Sequence, residues 1–371
     1  MLRSSIPTFV LTGGPCAGKT TALKYLKEKL RDYGFTPFIM SEIPTEFMSN
    51  GVIPGANGFT KEQFQEFLFR ETLRRRELYL KMVRASSANR KVLLCDRGLL
   101  DIIAYTNLDL FNSLLRKNCL SLISAREELY SAVFHLVTAA SGAEEFYTLE
   151  NNRARYEKTF EEARETDAAT LQAWLGHPRL RIIDNSTDFE GKCRRLLQEI
   201  RRALGVPIPL GTEKRLLVKI PDMPQLGIPF QEISVEEAYL VSENQKLEHR
   251  VTRREQNNAH IFCKTNKETT KNGIHAGHER PVRITQYLSA FERQRDYSFD
   301  LVRKKRYCFA YKNQYFELDE FLEPERLRGL FVIKIELTQE QQDVHLPPSL
   351  AILEDITGNE KYTNKELARR K

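Results

Sequence analysis

Short apolar runs at 9–12, 35–40, 91–95, 134–138 and 180–183 punctuate the first half of the chain, and helical spacing fills the gaps between them. After the apolar run at 6–11, Ala22, Leu23, Leu26 and Leu30 fall on one helical face. Thr60 followed by Gln63 has capping-box spacing, which predicts a long helix opening there and running through Arg84. Buried strands alternating with helices over 1–205 predict a parallel α/β sheet. Residues 205–211, Gly-Val-Pro-Ile-Pro-Leu-Gly, cannot continue a helix, so 206–211 is expected to be a linker.

Beyond the linker the period changes to two. Over 331–337, Val332, Lys334 and Glu336 share one strand face, while Phe331, Ile333, Ile335 and Leu337 share the other. The run 315–321 puts Glu317 and Asp319 together, and 303–306 is almost wholly basic. Ser234 with Glu237 repeats the capping-box spacing and predicts a helix, so 212–371 reads as an α+β domain. The chain shows no internal repeat and no low-complexity tract.

At 371 residues, two domains or three are expected, each long enough to bury a core. A net charge of +7 does not argue for specific nucleic-acid binding, but it allows phosphorylated ligands or peripheral contact with an anionic membrane. The six cysteines have no metal-ligand spacing and read as free thiols in a reducing compartment. No apolar run reaches membrane-spanning length, and residues 1–5 are too short for a cleaved signal. A soluble, cytoplasmic protein is expected.

The chemistry concentrates after the first strand. Gly13, Gly14, Pro15, Cys16, Ala17, Gly18, Lys19, Thr20 and Thr21 carry the Gly-x-x-x-x-Gly-Lys-Thr pattern between a strand and a helix. Such a loop turns backbone N–H groups toward a phosphate, and the helix N-terminus adds positive dipole. A nucleoside triphosphate, ATP or GTP, is the expected ligand. Lys19 would reach its β- and γ-phosphates, and Thr20 would hold Mg²⁺. Asp96 ends the strand at 91–95 and is the candidate second Mg²⁺ anchor or acceptor-side base, the plainer alternative being a strand-end cap. Arg97 would neutralise phosphate, and Glu42 is a candidate acceptor-side acid. Arg153 and Arg155, on a polar segment well past the fourth strand, suit a closing lid. Arg74–Arg76 belong to the long amphipathic helix. Asp184 and Asn185 are placed to face the base without choosing adenine or guanine.

These strings resemble a family. Leu-Thr-Gly-Gly-Pro-Cys-Ala-Gly-Lys-Thr-Thr at 11–21, Asp-Arg-Gly-Leu-Leu-Asp at 96–101, His-Leu-Val-Thr-Ala-Ala at 135–140 and Ile-Asp-Asn-Ser-Thr-Asp-Phe at 183–189 look like the NadR/TRPL-translocation-defect type of P-loop domain, which is AAA-like and close to small-molecule kinases. The resemblance covers most of 6–205 and implies a P-loop NTPase/kinase-like parallel sheet. It also raises GTP and phosphoinositides as ligands.

Residues 213–371 resemble a CYTH, or triphosphate-tunnel, domain. Glu-Lys-Arg-Leu-Leu-Val-Lys at 213–219, Arg-Val-Thr-Arg-Arg at 250–254, Lys-Lys-Arg at 304–306, Phe-Glu-Leu-Asp at 316–319 and Lys-Ile-Glu at 334–336 carry it, with Glu-Asp-Ile-Thr at 354–357 and Tyr-Thr-Asn at 362–364. That likeness implies an antiparallel tunnel barrel in which Arg215, Arg250, Arg254, Lys304 and Arg306 grip a polyphosphate and Glu213 and Glu336 hold a metal. Independently, 250–306 carries 14 Lys/Arg against 6 Asp/Glu, a local excess of +8. The chain departs from the family where Gly211 replaces one metal-binding carboxylate and Lys334 another, which favours anion binding over metal-dependent hydrolysis. The resulting order of expectations is an ATP- or GTP-linked regulatory protein with a phosphorylated tunnel ligand (polyphosphate, nucleotide or phosphoinositide), then a nucleoside-type kinase, then a tunnel triphosphatase.

Overall fold

The computed structural model describes residues 6–147, 159–206, 213–219, 223–244, 247–269, 275–339 and 342–370. The chain divides into two compact units, Ser4–Leu204 and Gly205–Lys371.

The first unit is built on β1 (Thr8–Thr12), β2 (Thr36–Met40), β3 (Lys91–Asp96), β4 (Ala132–Leu136) and β5 (Leu180–Ile183). Its order is β2-β3-β1-β4-β5, with every pairing parallel. Each expected strand is present, although β4 begins and ends two residues early. The helices are α1 (Lys19–Asp32), α2 (Ile43–Ser49), α3 (Lys61–Ala85), α4 (Leu108–Lys117), α5 (Leu122–Glu127), α6 (Phe160–Trp174) and α7 (Phe189–Ala203). α3 opens on the expected reciprocal cap, with the Gln63 N–H donating to the Thr60 hydroxyl and the Thr60 N–H to the Gln63 side chain. α1 buries Ala22, Leu23, Leu26 and Leu30 against the sheet. Central β1 is buried at every residue, so the loop after it starts from a strand fixed on both sides. In open parallel sheets, ligands bind at such carboxyl ends.

The second unit contains β6 (Glu213–Val218), β7 (Phe230–Leu240), β8 (Leu247–Gln256), β9 (Ala259–Thr269), β10 (His275–Pro281), β11 (Val302–Tyr311), β12 (Gln314–Glu323), β13 (Phe331–Glu336) and β14 (Ile352–Asp355), with α8 (Ile284–Gln294) and α9 (Asn364–Ala368). They form one antiparallel sheet ordered β10-β9-β8-β7-β11-β12-β13-β6-β14. The helix expected from Ser234 and Glu237 does not exist, because both residues lie inside β7. There the alternation of Ile233, Val235, Glu237 and Tyr239 along one face overrides a local capping signal. Phe331, Ile333, Ile335 and Leu337 enter one core with Leu216, Phe309, Phe316 and Leu318. The opposite face carries the charges.

This sheet curls. Burial pushes the Lys267 ammonium of β9 down, and the charges of Glu213 and Arg215 in β6 also act on it. β6 is six places from β9 in the sheet order, about 29 Å if the sheet were flat. Only curvature brings those groups within electrostatic reach. Among the described residues, no helix is long and apolar enough to cross a membrane.

Candidate functional site

The loop between β1 and α1 is shaped by residues that tolerate left-handed backbone. Gly13 has φ +133°, and a Cβ there would lie 2.0 Å from the Leu136 carbonyl oxygen. At Gly18, φ is +81° and a Cβ would meet the Phe189 ring at 2.4 Å. Lys19 opens α1 and folds back, its ammonium donating to the Gly13 and Gly14 carbonyls at 2.8 Å each. Burial, reinforced by Arg97, lowers Lys19 to about 8. A polyphosphate in the loop would favour the charged form. Nucleotide binding without metal at pH 8 is therefore expected to take up roughly half a proton, and less at pH 7. Calorimetry in buffers of different ionisation enthalpy reads this directly.

Asp96 comes to the same place from β3. The Thr20 hydroxyl donates to one of its carboxylate oxygens at 3.3 Å. The other oxygen is buried with no hydrogen-bond partner. Burial raises Asp96 to about 6, against the pull of Lys19 and with help from Glu42. A hydroxyl beside an unsatisfied carboxylate oxygen fits Mg²⁺, which takes few protein ligands and completes its shell with water and phosphate.

Arg97 has φ +71° and reaches across to Glu42, Nε to Oε1 at 2.5 Å. Its Nη1 also lies 3.5 Å from the Gly13 carbonyl oxygen and 3.7 Å from Asp101. Burial opposes ionisation of Glu42, but Arg97 and Lys19 outweigh it and hold the carboxyl at about 2. Glu42 is thus a permanently charged partner for Arg97, which makes it a poor proton acceptor.

These groups line a cavity of about 970 Å³. Besides the loop, Asp96 and Arg97, its lining includes Ile43 of α2, Phe64 and Leu68 of α3, and Ile102 and Tyr105 after β3. Gln65 and Thr72 add polar groups there, and the Gln65 side-chain oxygen is buried without a hydrogen-bond partner. Arg74 and Arg75 pair with Glu71 and Glu46, and none of residues 74–76 lines the cavity. Arg153 and Arg155 lie outside the described residues.

Two residues of this site escaped the sequence reading. Asp167 of α6 accepts the Gly14 N–H at 2.6 Å and lies 3.3 Å from His135, pinning the start of the loop. Lys192 of α7 donates to the Val137 carbonyl and to Asn185, each at 2.7 Å, and approaches the Ala17 carbonyl at 3.4 Å. Lys192 left one clue, a lysine on a helix face otherwise made by Cys193, Leu196, Leu197 and Ile200. Asn185 lines the cavity, but its side-chain amide is engaged by Lys192, Thr138 and Ser141. Asp184 is paired with Arg195 at 2.8 Å.

In the second unit, one face of the curled sheet gathers Arg215, Arg250, Arg254, Lys304, Arg306 and Lys334. Acids from neighbouring strands meet them. Arg306 grips Asp319 with two hydrogen bonds of 2.7 and 2.8 Å and reaches Glu317 at 3.0 Å. Lys304 lies 2.9 Å from Asp319 and 3.5 Å from Glu237. Arg254 pairs with Glu279 at 2.7 Å, and Arg250 sits 3.7 Å from Glu237. Burial opposes ionisation of Asp319, yet Arg306 and Lys304 hold its carboxyl far below the usual range. The +8 excess over 250–306 is therefore not a free positive field, because Glu237, Glu317 and Asp319 lie outside that stretch and offset it.

The expected metal residues of the tunnel are also engaged. Glu213 and Glu336 face each other across β6 and β13, and the Lys334 ammonium is 2.8 Å from Glu336 and 3.6 Å from Glu213. Arg215 takes the other Glu213 oxygen at 2.7 Å. Among the described residues, no group of three or more His, Cys, Asp or Glu is placed to hold a metal ion.

No curated protein matches the chain. Among solved structures it is similar to the inorganic triphosphatase NE1496, at 23% identity over 43% of this chain and 95% of that one, with a TM-score of 0.32. A second structure, titled the hypothetical protein NE1496, gives 23% identity, 43% and 97% coverage, and a TM-score of 0.32. The PH1819 protein from Pyrococcus horikoshii OT3 gives 15% identity, 35% and 79% coverage, and 0.28. Residues 8–192 match the family described as AAA domain, and this part of the chain is an AAA-type P-loop nucleotide-binding domain.

Proposed function

We propose that the first unit binds ATP or GTP with Mg²⁺ and transfers the γ-phosphoryl group to a small acceptor, while the second unit binds a phosphorylated anion. The observation that carries this reading is the cavity's apolar lining away from the loop, Ile43, Phe64, Leu68, Ile102 and Tyr105, together with the unsatisfied oxygen of Gln65. Hydrolysis alone needs room for water, whereas this space suits a second organic substrate. The NadR-like strings support the same reading.

Within it, Lys19 leaves the loop carbonyls for the β- and γ-phosphates, and Thr20 and Asp96 would hold Mg²⁺. The metal supplies charge neutralisation across the phosphates. Arg97, anchored by Glu42, sets a guanidinium near the transferred group. With Mg²⁺ bound, Asp96 would serve as its anchor, directly or through water, and the raised value of the metal-free carboxyl would fall as the cation's charge favours ionisation.

Asp96→Asn is expected to leave nucleotide binding within about threefold and to cut turnover by about 100-fold or more. The decisive measurement follows the labelled γ-phosphate of ATP and GTP across a panel of hydroxyl-bearing nucleosides and related small acceptors. Transfer to one of them supports the kinase reading. Release only as inorganic phosphate, whatever the acceptor, returns the first unit to a nucleotide-hydrolysing regulator.

A further inference from the structure

We propose that the Lys334 ammonium stands where a divalent cation would be needed in the second unit, so that this face binds a linear polyphosphate without metal. The inference rests on the reading that this unit binds a phosphorylated anion. Lys334 and Glu336 are two residues apart on β13 and therefore share a face. Glu213 is the direct cross-strand partner of Glu336, and Arg215 that of Lys334. Two carboxylates and two cations thus meet in one square of the sheet.

The distances leave no opening for a metal. Lys334 touches Glu336 at 2.8 Å and approaches Glu213 at 3.6 Å, while Arg215 holds the remaining Glu213 oxygen at 2.7 Å. The square is neutral, so nothing in it attracts a doubly charged ion, and an incoming metal would face an ammonium directly. The residues present do not fit a divalent cation. They do fit a cation tethered to the protein, fixed by the same two carboxylates that would otherwise fix a metal. Arg306 and Lys304, two residues apart on β11, add two more cations on the same face two strands away, with Glu317 and Asp319 of β12 between them and Lys334.

The test uses the full-length chain carrying Lys19→Ala to silence the nucleotide loop, titrated with inorganic tripolyphosphate in EDTA and again with Mn²⁺. Binding in EDTA within about threefold of that in Mn²⁺ is expected. Lys334→Glu should lose about tenfold or more in EDTA and recover with Mn²⁺, whose electron paramagnetic resonance signal would then report a bound ion that the Lys334 protein does not show. Lys334→Met, of similar length and uncharged, should also weaken metal-free binding by about tenfold, which keeps the test sharp if the glutamate variant does not fold. Binding by the Lys334 protein that vanishes in EDTA and returns with Mn²⁺ would overturn the inference alone, as would a Lys334→Met protein that binds undiminished. Absence of tripolyphosphate binding under every condition would overturn the anion-binding reading with it.

Discussion

Lys19→Ala is expected to abolish nucleotide binding while leaving the second unit's affinity for tripolyphosphate unchanged. The ammonium is the one group of the loop that can travel with the phosphates, and it already sits buried against two carbonyls at 2.8 Å. Exchanging those carbonyls for phosphate oxygens makes charge-assisted bonds worth roughly 1.5–3 kcal/mol each. Losing two of them weakens binding by at least about 100-fold. Fluorescent-nucleotide titration and tripolyphosphate calorimetry on the same preparation separate the two sites. A folded variant that loses both ligands would contradict two independent sites.

The second large effect concerns stability. Asp319→Ala removes the carboxylate that Arg306 grips with two bonds and that lies 2.9 Å from Lys304. Two buried cations are left facing each other with fewer partners, a change that costs about 3–5 kcal/mol. The thermal transition of the second unit should fall by about 10 °C. Tripolyphosphate should restore much of that loss, since it supplies the missing negative charge. An unchanged transition would mean that Asp319 is not structurally coupled to these cations. The same carboxyl gives a pH dependence with a definite sign. Its folded-state pKa is depressed, so its contribution is complete above the ordinary carboxylate range and is lost as pH falls through the depressed value.

What could be read along the chain was whatever depends on neighbours in sequence. The P-loop, the five buried strands and the Thr60 cap are local patterns, and they appear where the pattern puts them, apart from the two-residue shift of β4. The charged and apolar faces of β13 followed from alternation alone. Asp167 was invisible because it is 153 residues from the Gly14 N–H it accepts. The Ser234–Glu237 spacing misled because a four-residue signal cannot register that neighbouring strands claim its backbone. Counting charge over 250–306 misled for the same reason, since the compensating acids arrive from β7 and β12. The Glu42–Arg97 pair joins residues 55 apart, and its closeness turns a candidate acceptor-side acid into an anchor.

Under the proposed anion binding, the two-pronged hold of Arg306 on Asp319 would make the second unit a selective filter. A chloride ion or a simple phosphate monoester meets guanidinium groups whose bonds are already made, and it offers too little to displace a carboxylate that stays attached to the sheet. A chain of several phosphates can replace a number of those carboxylates together, each exchange easing the next. Occupancy should then rise sharply with the number of linked phosphates and stay low for single ones, so the cell's abundant small anions would pass this face by.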